Sequence, residues 1–491
     1  STLSGEGNDI RSDVRRHYSA DEAMVLCELS ARIRLDGAQR SAAAAAGARI
    51  IDRVRRETSP SMMESFLAEY GLSTTEGVGL MCLAEALLRV PDAETIDDLI
   101  YDKVEPSNWG AHLGNSSSSL VNASTWALML TGKVLDDDPG RPAAALRGLL
   151  RRVGEPMVRT AVGESMKLLG RQFVLGQTIE EGLSNARKLE ARGYTYSYDM
   201  LGEAARTDAD AVRYHDAYAK AISAIAEQAT GDVRSSPGIS VKLSALHPRY
   251  ESTHRSTVLS QLVPRAVDLA KHAARARIGF NIDAEEQERL DLSLDVIEHI
   301  LSEPDLDGWD GFGVVVQAYG KRAAPVIEFL YALAERLDRR IMVRLVKGAY
   351  WDTEVKLAQE LGVETFPVFT RKVNTDLSYL ACSRKLLAMT DRIYPQFATH
   401  NAHTVAAILE MATDPATYEF QRLHGMGEAL HDRVIAAEGT RCRIYAPVGA
   451  HRDLLAYLVR RLLENGANSS FVHQILDTDV APEDLAADPY D

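Results

Sequence analysis

The feature that most limits how this chain can fold is an alternation that begins at Tyr194. Short runs rich in β-branched and aromatic residues recur at Tyr194 to Tyr198, Ile239 to Leu243, Ile278 to Ile282 and Phe312 to Gln317. They continue at Ile341 to Val346, Tyr394 to Ala398, Tyr418 to Leu423 and Cys442 to Ala446. Between them lie amphipathic stretches of roughly 12 to 35 residues with helical periodicity. Strand then helix, repeated, calls for a parallel sheet, because parallel neighbours need a crossover long enough to bring the chain back. Eight such units over about 270 residues have the size of a closed (β/α)8 barrel. The rival is an open doubly wound sheet, yet no Gly-x-Gly-x-x-Gly turn follows the first run, and Gly425-Met426-Gly427 lacks the third glycine and reads as a turn.

Ahead of the alternation, residues 1–190 read as an all-helical arm and helical domain. Ala42 to Ala46 are five of the strongest helix formers in a row. Ser59 with Pro60 makes a start signal and Gly71 a stop. Further helices are expected at about 75–90, 143–153 and 155–175, with a serine-rich loop at 108–119. The barrel is expected over 191–468, closing with a strong helix at 454–464, and residues 469–491 form an acidic tail expected to be disordered.

Composition narrows the function. A formal net charge of -15 argues against a nucleic-acid partner, since phosphate contacts need a basic face. Cys27, Cys82, Cys382 and Cys442 are far apart, fit a reducing compartment and read as inert core thiols. No apolar run reaches the length of a membrane span and the first residues are not a signal peptide, so a cytoplasmic location is expected.

In a barrel of this kind the active site lies at the carboxyl ends of the strands. Lys242 falls at the second run, Asp283 after the third, Gln317 closes the fourth, and Thr399, His400 and Asn401 follow the sixth. Gln421 and Leu423 end the seventh and Tyr445 the eighth. The fifth run is the most telling. Ile341 to Val346 is nearly continuous apolar sequence interrupted by Arg344, whose burial costs several kcal/mol unless it is paired; Lys347-Gly348-Ala349 adds a second cation beside open backbone amides. One such charge alone reads as a structural ion pair, and Asp283 alone as a helix cap. His400 and His403 lack the glutamate of a zinc motif, so no metal is expected. Polar groups gathered on one rim instead imply an anion-holding mouth with many cations and one prominent carboxylate, which suits a phosphate-bearing cofactor and a zwitterionic amino acid.

Six motifs then carry a resemblance: Tyr194-Thr-Tyr-Ser-Tyr-Asp-Met-Leu-Gly-Glu203, Lys242-Leu-Ser-Ala-Leu-His-Pro-Arg-Tyr250, Asn281-Ile-Asp-Ala-Glu-Glu286, Arg344-Leu-Val-Lys-Gly-Ala-Tyr-Trp351, Phe397-Ala-Thr-His-Asn401, and Tyr457-Leu-Val-Arg-Arg-Leu-Leu-Glu-Asn-Gly-Ala-Asn468. Together they resemble the proline dehydrogenase domain of the bacterial proline utilization A flavoenzymes, from about Tyr194 to Asn468. The resemblance implies an FAD-containing barrel that oxidises L-proline to 1-pyrroline-5-carboxylate and passes electrons to a membrane quinone, at the inner face of the membrane. It implies that Arg460, Arg461 and Lys242 hold the substrate carboxylate, that Asp283 lies by the amine, and that Tyr350, Leu423 and Tyr445 pack on the ring. Glu203 would pair with Arg460 as a gate. Arg344 would approach flavin N5, and Gln317 would bond the isoalloxazine. Ala284, Lys347, Gly348, Ala349, Tyr350, Trp351, Thr370, Arg371, Lys372, Thr399, His400, Asn401, Gln421 and Glu464 would line the rest of the cofactor.

Members of that family often continue into an aldehyde dehydrogenase domain, absent after Asp491, and some begin with a basic ribbon-helix-helix segment, absent here; the chain is expected to be an excised fragment, with a naturally short enzyme as the alternative. From the residues alone, a Schiff-base aldolase using Lys242 or Lys347, and a catalytically silent scaffold, remain open.

Overall fold

All eight runs become strands of one closed parallel barrel, in the order β1 to β8, with β8 pairing back onto β1 over seven residues from Tyr194↔Cys442 to Met200↔Val448. The computed structural model describes residues 5–57, 173–449 and 480–490. The strands are β1 Tyr194–Met200, β2 Gly238–Val241, β3 Gly279–Ile282, β4 Phe312–Gln317, β5 Ile341–Val346, β6 Ile393–Ala398, β7 Glu419–Leu423 and β8 Arg441–Val448. Lys242, expected inside the second strand, stands just beyond it in extended conformation. Every residue of β4 is buried, as a parallel strand covered on both faces requires.

Helices numbered along the described residues are α1 Gly5–Arg16, α2 Glu22–Ile33, α3 Gly37–Glu57, α4 Ile179–Glu190, α5 Asp208–Ala226, α6 Arg255–Ala276 and α7 Leu290–Leu301. They continue with α8 Ala323–Arg336, α9 Trp351–Leu361, α10 Lys372–Leu387, α11 Ala402–Met411, α12 Glu428–Glu438 and the short α13 Pro482–Leu485. Local chemistry starts several of them. Thr207 accepts from Asp210 N while the Asp210 side chain accepts from the Thr207 backbone, a full capping box for α5. Thr178 caps α4 and Asn401 caps α11.

The chain divides into two compact units, one of residues 1–54, 175–449 and 479–491, the other of residues 55–174 and 450–478. The first contains the whole barrel. Its limits differ from the boundaries expected at 190 and 468. Helix α4 belongs with the barrel, where it buries Ile179, Leu183 and Ala186 and packs on β1. The arm helices belong there as well: α1 packs on α8 with Arg11 paired to Asp291 (3.0 Å) and Asp295 (3.1 Å), and α2 packs on α10. The acidic tail, expected as a disordered segment, is ordered over 480–490: Ala486 is fully buried, and Arg40 pairs with Asp488 at 2.5 Å while lying over the Tyr490 ring. Cys382 and Cys442 are core thiols, but Cys27 is exposed on α2. The helices expected at 75–90, 143–153, 155–175 and 454–464, the helix start at Ser59 and the loop at 108–119 lie outside the described residues, apart from 173–175 at the end of one of them.

Candidate active site

Successive side chains on a strand point to opposite faces, and in a small barrel the inward set fills the interior. Here that filling is polar, in three tiers. The lowest holds Glu419, fully buried, which accepts from Arg443 Nε (2.8 Å), Gln396 Nε2 (2.8 Å) and Gln421 Nε2 (2.9 Å). Arg443 also donates to the carbonyls of Ser236 (2.8 Å), Arg234 (2.9 Å) and Tyr196 (3.3 Å) and to the second Glu419 oxygen (3.4 Å). The middle tier is Arg344. Its Nε donates to Gln421 Oε1 (2.7 Å), Nη1 to Ser240 Oγ and Asp283 Oδ1, and Nη2 to Ser197 Oγ, each at 3.1 Å. The upper tier, at the carboxyl ends of the strands, is Lys242 with Asp199 (2.8 Å), Asp283 (3.3 Å) and Tyr445 (3.2 Å), and the Tyr445 hydroxyl donates to Asp283 Oδ2 at 2.8 Å.

The electrostatics differ from the expected surplus of cations around one carboxylate. Lys242, Arg344 and Arg443 stand against Asp199, Asp283 and Glu419, so the described interior balances three charges with three. A buried ion is tolerable only when its partners and hydrogen bonds are complete. Burial pushes the Lys242 ammonium down, but Asp199, then Tyr445 and Asp283, more than reverse this and leave it raised and charged. Burial first, then Asp199 and Asp283, hold the Tyr445 phenol well above its ordinary range, so it acts as a donor. The Arg344 guanidinium lies over the Tyr445 ring, 5.1 Å from its centre, a favourable cation–π contact. Asp283 is not a cap: the next helix, α7, begins only at Leu290.

This site sits inside a segment that known proteins share. A family model described as "Proline dehydrogenase" matches residues 182–474, more than half of the chain and all eight strands. The chain belongs to the proline dehydrogenase family. The bifunctional protein PutA of Escherichia coli (strain K12) is 53% identical over 454 residues, covering 90% of this chain and 34% of that protein. Proline dehydrogenase 1 of Bacillus subtilis (strain 168) is 30% identical over 320 residues, 64% of this chain and 93% of that one. A crystal structure of a Bradyrhizobium japonicum proline utilization A variant superposes with a TM-score of 0.75 at 50% identity, over 96% of this chain and 48% of that chain. The chain thus spans about a third of the length of the PutA proteins that it matches. A second model, described as the DNA-binding domain of proline dehydrogenase, matches residues 62–173, of which all but the last lie outside the described residues.

The residues that the proline dehydrogenase resemblance implied are placed unevenly. Lys242, Asp283, Arg344 and Tyr445 come together. Leu423 pairs in register with Tyr445, and its backbone N–H donates to His400 Nε2 at 3.1 Å. Gln317 donates to the Glu285 carbonyl (2.9 Å), beside the half-buried Ala284. Gln421 is 1% exposed and lies beneath Arg344, within the lumen rather than on the rim. Thr399 accepts from Asn401 N, and the Asn401 side chain caps α11, so both serve the turn. Glu203 lies on the β1–α5 loop and Tyr350 at the start of α9. Arg460, Arg461 and Glu464 lie outside the described residues.

The rim between β5 and α10 fits a flat, phosphate-bearing cofactor such as FAD. Gly348 and Ala349 are exposed, and Gly348, at φ 139°, lies so close to Tyr319 that a Cβ would stand 2.5 Å from its ring. That is a flat backbone cradle only glycine permits. Lys347, paired with Asp376, and the exposed Arg371 and Lys372 supply positive charge beside it. Trp351 leaves 40% of its surface exposed while Nε1 is fixed to the Phe369 carbonyl (2.9 Å). Thr370 is engaged from the arm: Glu22 accepts from its N (3.0 Å) and Oγ1 (3.0 Å), and from Asn374 Nδ2 (2.7 Å).

Sequence reasoning missed Asp199 altogether, along with Ser197, Ser240, Glu419 and Arg443. For the first two the signal was present. In Tyr194-Thr-Tyr-Ser-Tyr-Asp199 a period of two puts three tyrosines on one face and Thr195, Ser197 and Asp199 on the other. For Glu419 and Arg443 a period of two was legible as well, with Glu419 and Gln421 on one face of β7 and Arg441, Arg443 and Tyr445 on one face of β8; only Ser240, in the four-residue β2, lies in a strand too short to show which face looks inward.

Proposed function

We propose that this chain carries an FAD-dependent proline dehydrogenase site that oxidises L-proline to 1-pyrroline-5-carboxylate and delivers the electrons to a membrane quinone, as the first step of proline breakdown. The observation that carries the reading is the closed Lys242–Asp283–Tyr445–Arg344 cluster at the strand ends of a proline dehydrogenase barrel. Lys242, with Arg460 and Arg461, holds the substrate carboxylate; Asp283 faces the ring amine; Tyr445, Tyr350 and Leu423 bound the ring. Orienting the reacting carbon is the protein's part. FAD, held by Gln317, Lys347 to Trp351 and Thr370 to Lys372 with the other residues of the rim, supplies the two-electron acceptor. As a hydride leaves the ring carbon next to nitrogen, the C–N bond becomes double and the nitrogen gives up its proton. Glu203 is the gate residue in this reading, excluding water from the bound substrate.

The surroundings of Lys242 disfavour the Schiff-base alternative at that residue. A lysine nucleophile must be neutral, whereas Lys242 is held charged between two carboxylates. Nucleic acid is not proposed as a partner: residues 62–173 carry 15 Asp and Glu against 10 Lys and Arg, the wrong sign for phosphate contacts. Among the described residues no helix is long and apolar enough to cross a membrane, so the quinone is reached from the surface in this reading. An aldehyde dehydrogenase domain in a longer parent polypeptide is proposed by analogy with the bifunctional relatives.

The test is the visible spectrum of the purified chain. Bound flavin that bleaches on anaerobic addition of L-proline is expected, and flavin that stays oxidised would sink the reading. Arg460→Met and Arg461→Met should each weaken proline binding strongly while keeping the flavin, because a carboxylate without its partner loses several kcal/mol. Normal proline affinity in either variant would remove it from the site.

A further inference from the structure

Lys242 Nζ has three hydrogens, and the chain takes all three: Asp199 at 2.8 Å, Tyr445 at 3.2 Å and Asp283 at 3.3 Å. A ligand carboxylate can be held by Lys242 only if one of these contacts opens. The three are not equivalent. Asp283 keeps other donors, Arg344 Nη1 at 3.1 Å on one oxygen and Tyr445 at 2.8 Å on the other, and its side chain is 9% exposed. Asp199 is fully buried with Lys242 as its ion-pair partner; the nearby Tyr445 hydroxyl gives its hydrogen to Asp283, and Oδ2 takes no direct hydrogen bond among the described residues. Withdrawing Lys242 would strand a buried carboxylate, which is the most costly arrangement such a pair can adopt.

We infer that Asp199, at the end of β1, is the anchor of Lys242: it holds the ammonium in place and charged while Asp283 is the contact exchanged for the ligand's carboxylate. This rests on the carboxylate-binding role given to Lys242 under the proposed function. Asp199 touches neither substrate nor cofactor in this reading, so it is a positioning residue. Its charge does two things. It is the largest electrostatic influence that keeps the deeply buried Lys242 protonated, and at 2.8 Å it makes the shortest of the three contacts that hold the ammonium in place.

The test uses cyclopentanecarboxylate, a five-membered ring carboxylate with no amine to titrate, and calorimetry between pH 7 and 9.5 on the flavin-loaded chain. Wild-type affinity is expected to stay level with pH. In Asp199→Asn, Lys242 loses its proton earlier, and affinity should fall at least about tenfold across that range. Asp199→Glu should restore the level profile. A level profile in Asp199→Asn would overturn the inference. Failure of the wild type to bind the probe at all would instead strike the carboxylate role itself. A second measurement needs no ligand: Asp199→Asn should lower the urea midpoint more than Asp283→Asn, and adding Lys242→Met to Asp199→Asn should recover part of the loss. If Asp199→Asn is the milder of the two, or Lys242→Met rescues nothing, Asp199 does not anchor Lys242.

Discussion

Arg344 shows how much one residue can decide. Its guanidinium reaches four side chains from four strands, Ser197 on β1, Ser240 on β2, Gln421 on β7, and Asp283 just after β3, so it is both filler and fastener of the lumen. Removing it leaves Asp283 and Gln421 short of a donor in a space closed to water. Arg344→Met is therefore expected to cost about 3–5 kcal/mol, read as a lower urea midpoint at unchanged slope. Its flavin spectrum should change as well; a variant with native midpoint and native spectrum would make Arg344 dispensable.

At the scale of elements, the arm is a structural part of the barrel. The Ser19 carbonyl accepts from Thr365 Oγ1 (3.2 Å), the Ala20 carbonyl from Lys321 Nζ (2.8 Å), and Glu22 holds Thr370 and Asn374. Helix α2 thereby pins the segment that leads into α10, where cofactor-holding residues are proposed. Glu22→Ala should cost about 1–3 kcal/mol, checked by thermal melting, and should weaken FAD binding several-fold in titrations of the apoprotein. Unaltered FAD affinity would confine the arm to stability. The β3–α7 segment is a second such element. Glu285 and Glu354 are both pushed up to about 7, burial being the main cause, although each accepts a backbone N–H.

For the whole molecule these carboxyl groups meet an opposing pair. A carboxyl raised above its unfolded value stabilises the fold fully below the unfolded pKa, and that stability is lost as pH rises towards 7. His424 and His431, lowered to about 4 by burial, act in reverse: their contribution is present above the unfolded imidazole value and lost as pH falls towards 4. The two slopes oppose each other between about pH 4.5 and 6.5. Melting temperature should accordingly change little across that window and fall from about 6.5 to 7.5. In Glu285→Gln/Glu354→Gln the fall should vanish and a rise with pH should appear below 6.5. A double variant that keeps the wild-type profile would show that these carboxyl groups do not titrate there.

The barrel was legible in the chain alone. Eight apolar runs at crossover spacing leave few other ways to satisfy the backbone of a parallel sheet, and the strand ends are found within two residues of where the pattern puts them. The sequence also marked Lys242, Asp283 and Arg344, because a charge in or beside a buried strand is costly enough to need a partner, and Tyr445 as a polar residue of the eighth run; the structure brings these four side chains together. Only the tertiary structure decided which charges meet. That Asp199 rather than Asp283 lies closest to Lys242, that Gln421 lies under Arg344 instead of on the rim, and that Glu22 reaches Thr370 all depend on barrel stagger and helix docking. Glu22 and Thr370 stand 348 positions apart, a separation across which local periodicity carries no information.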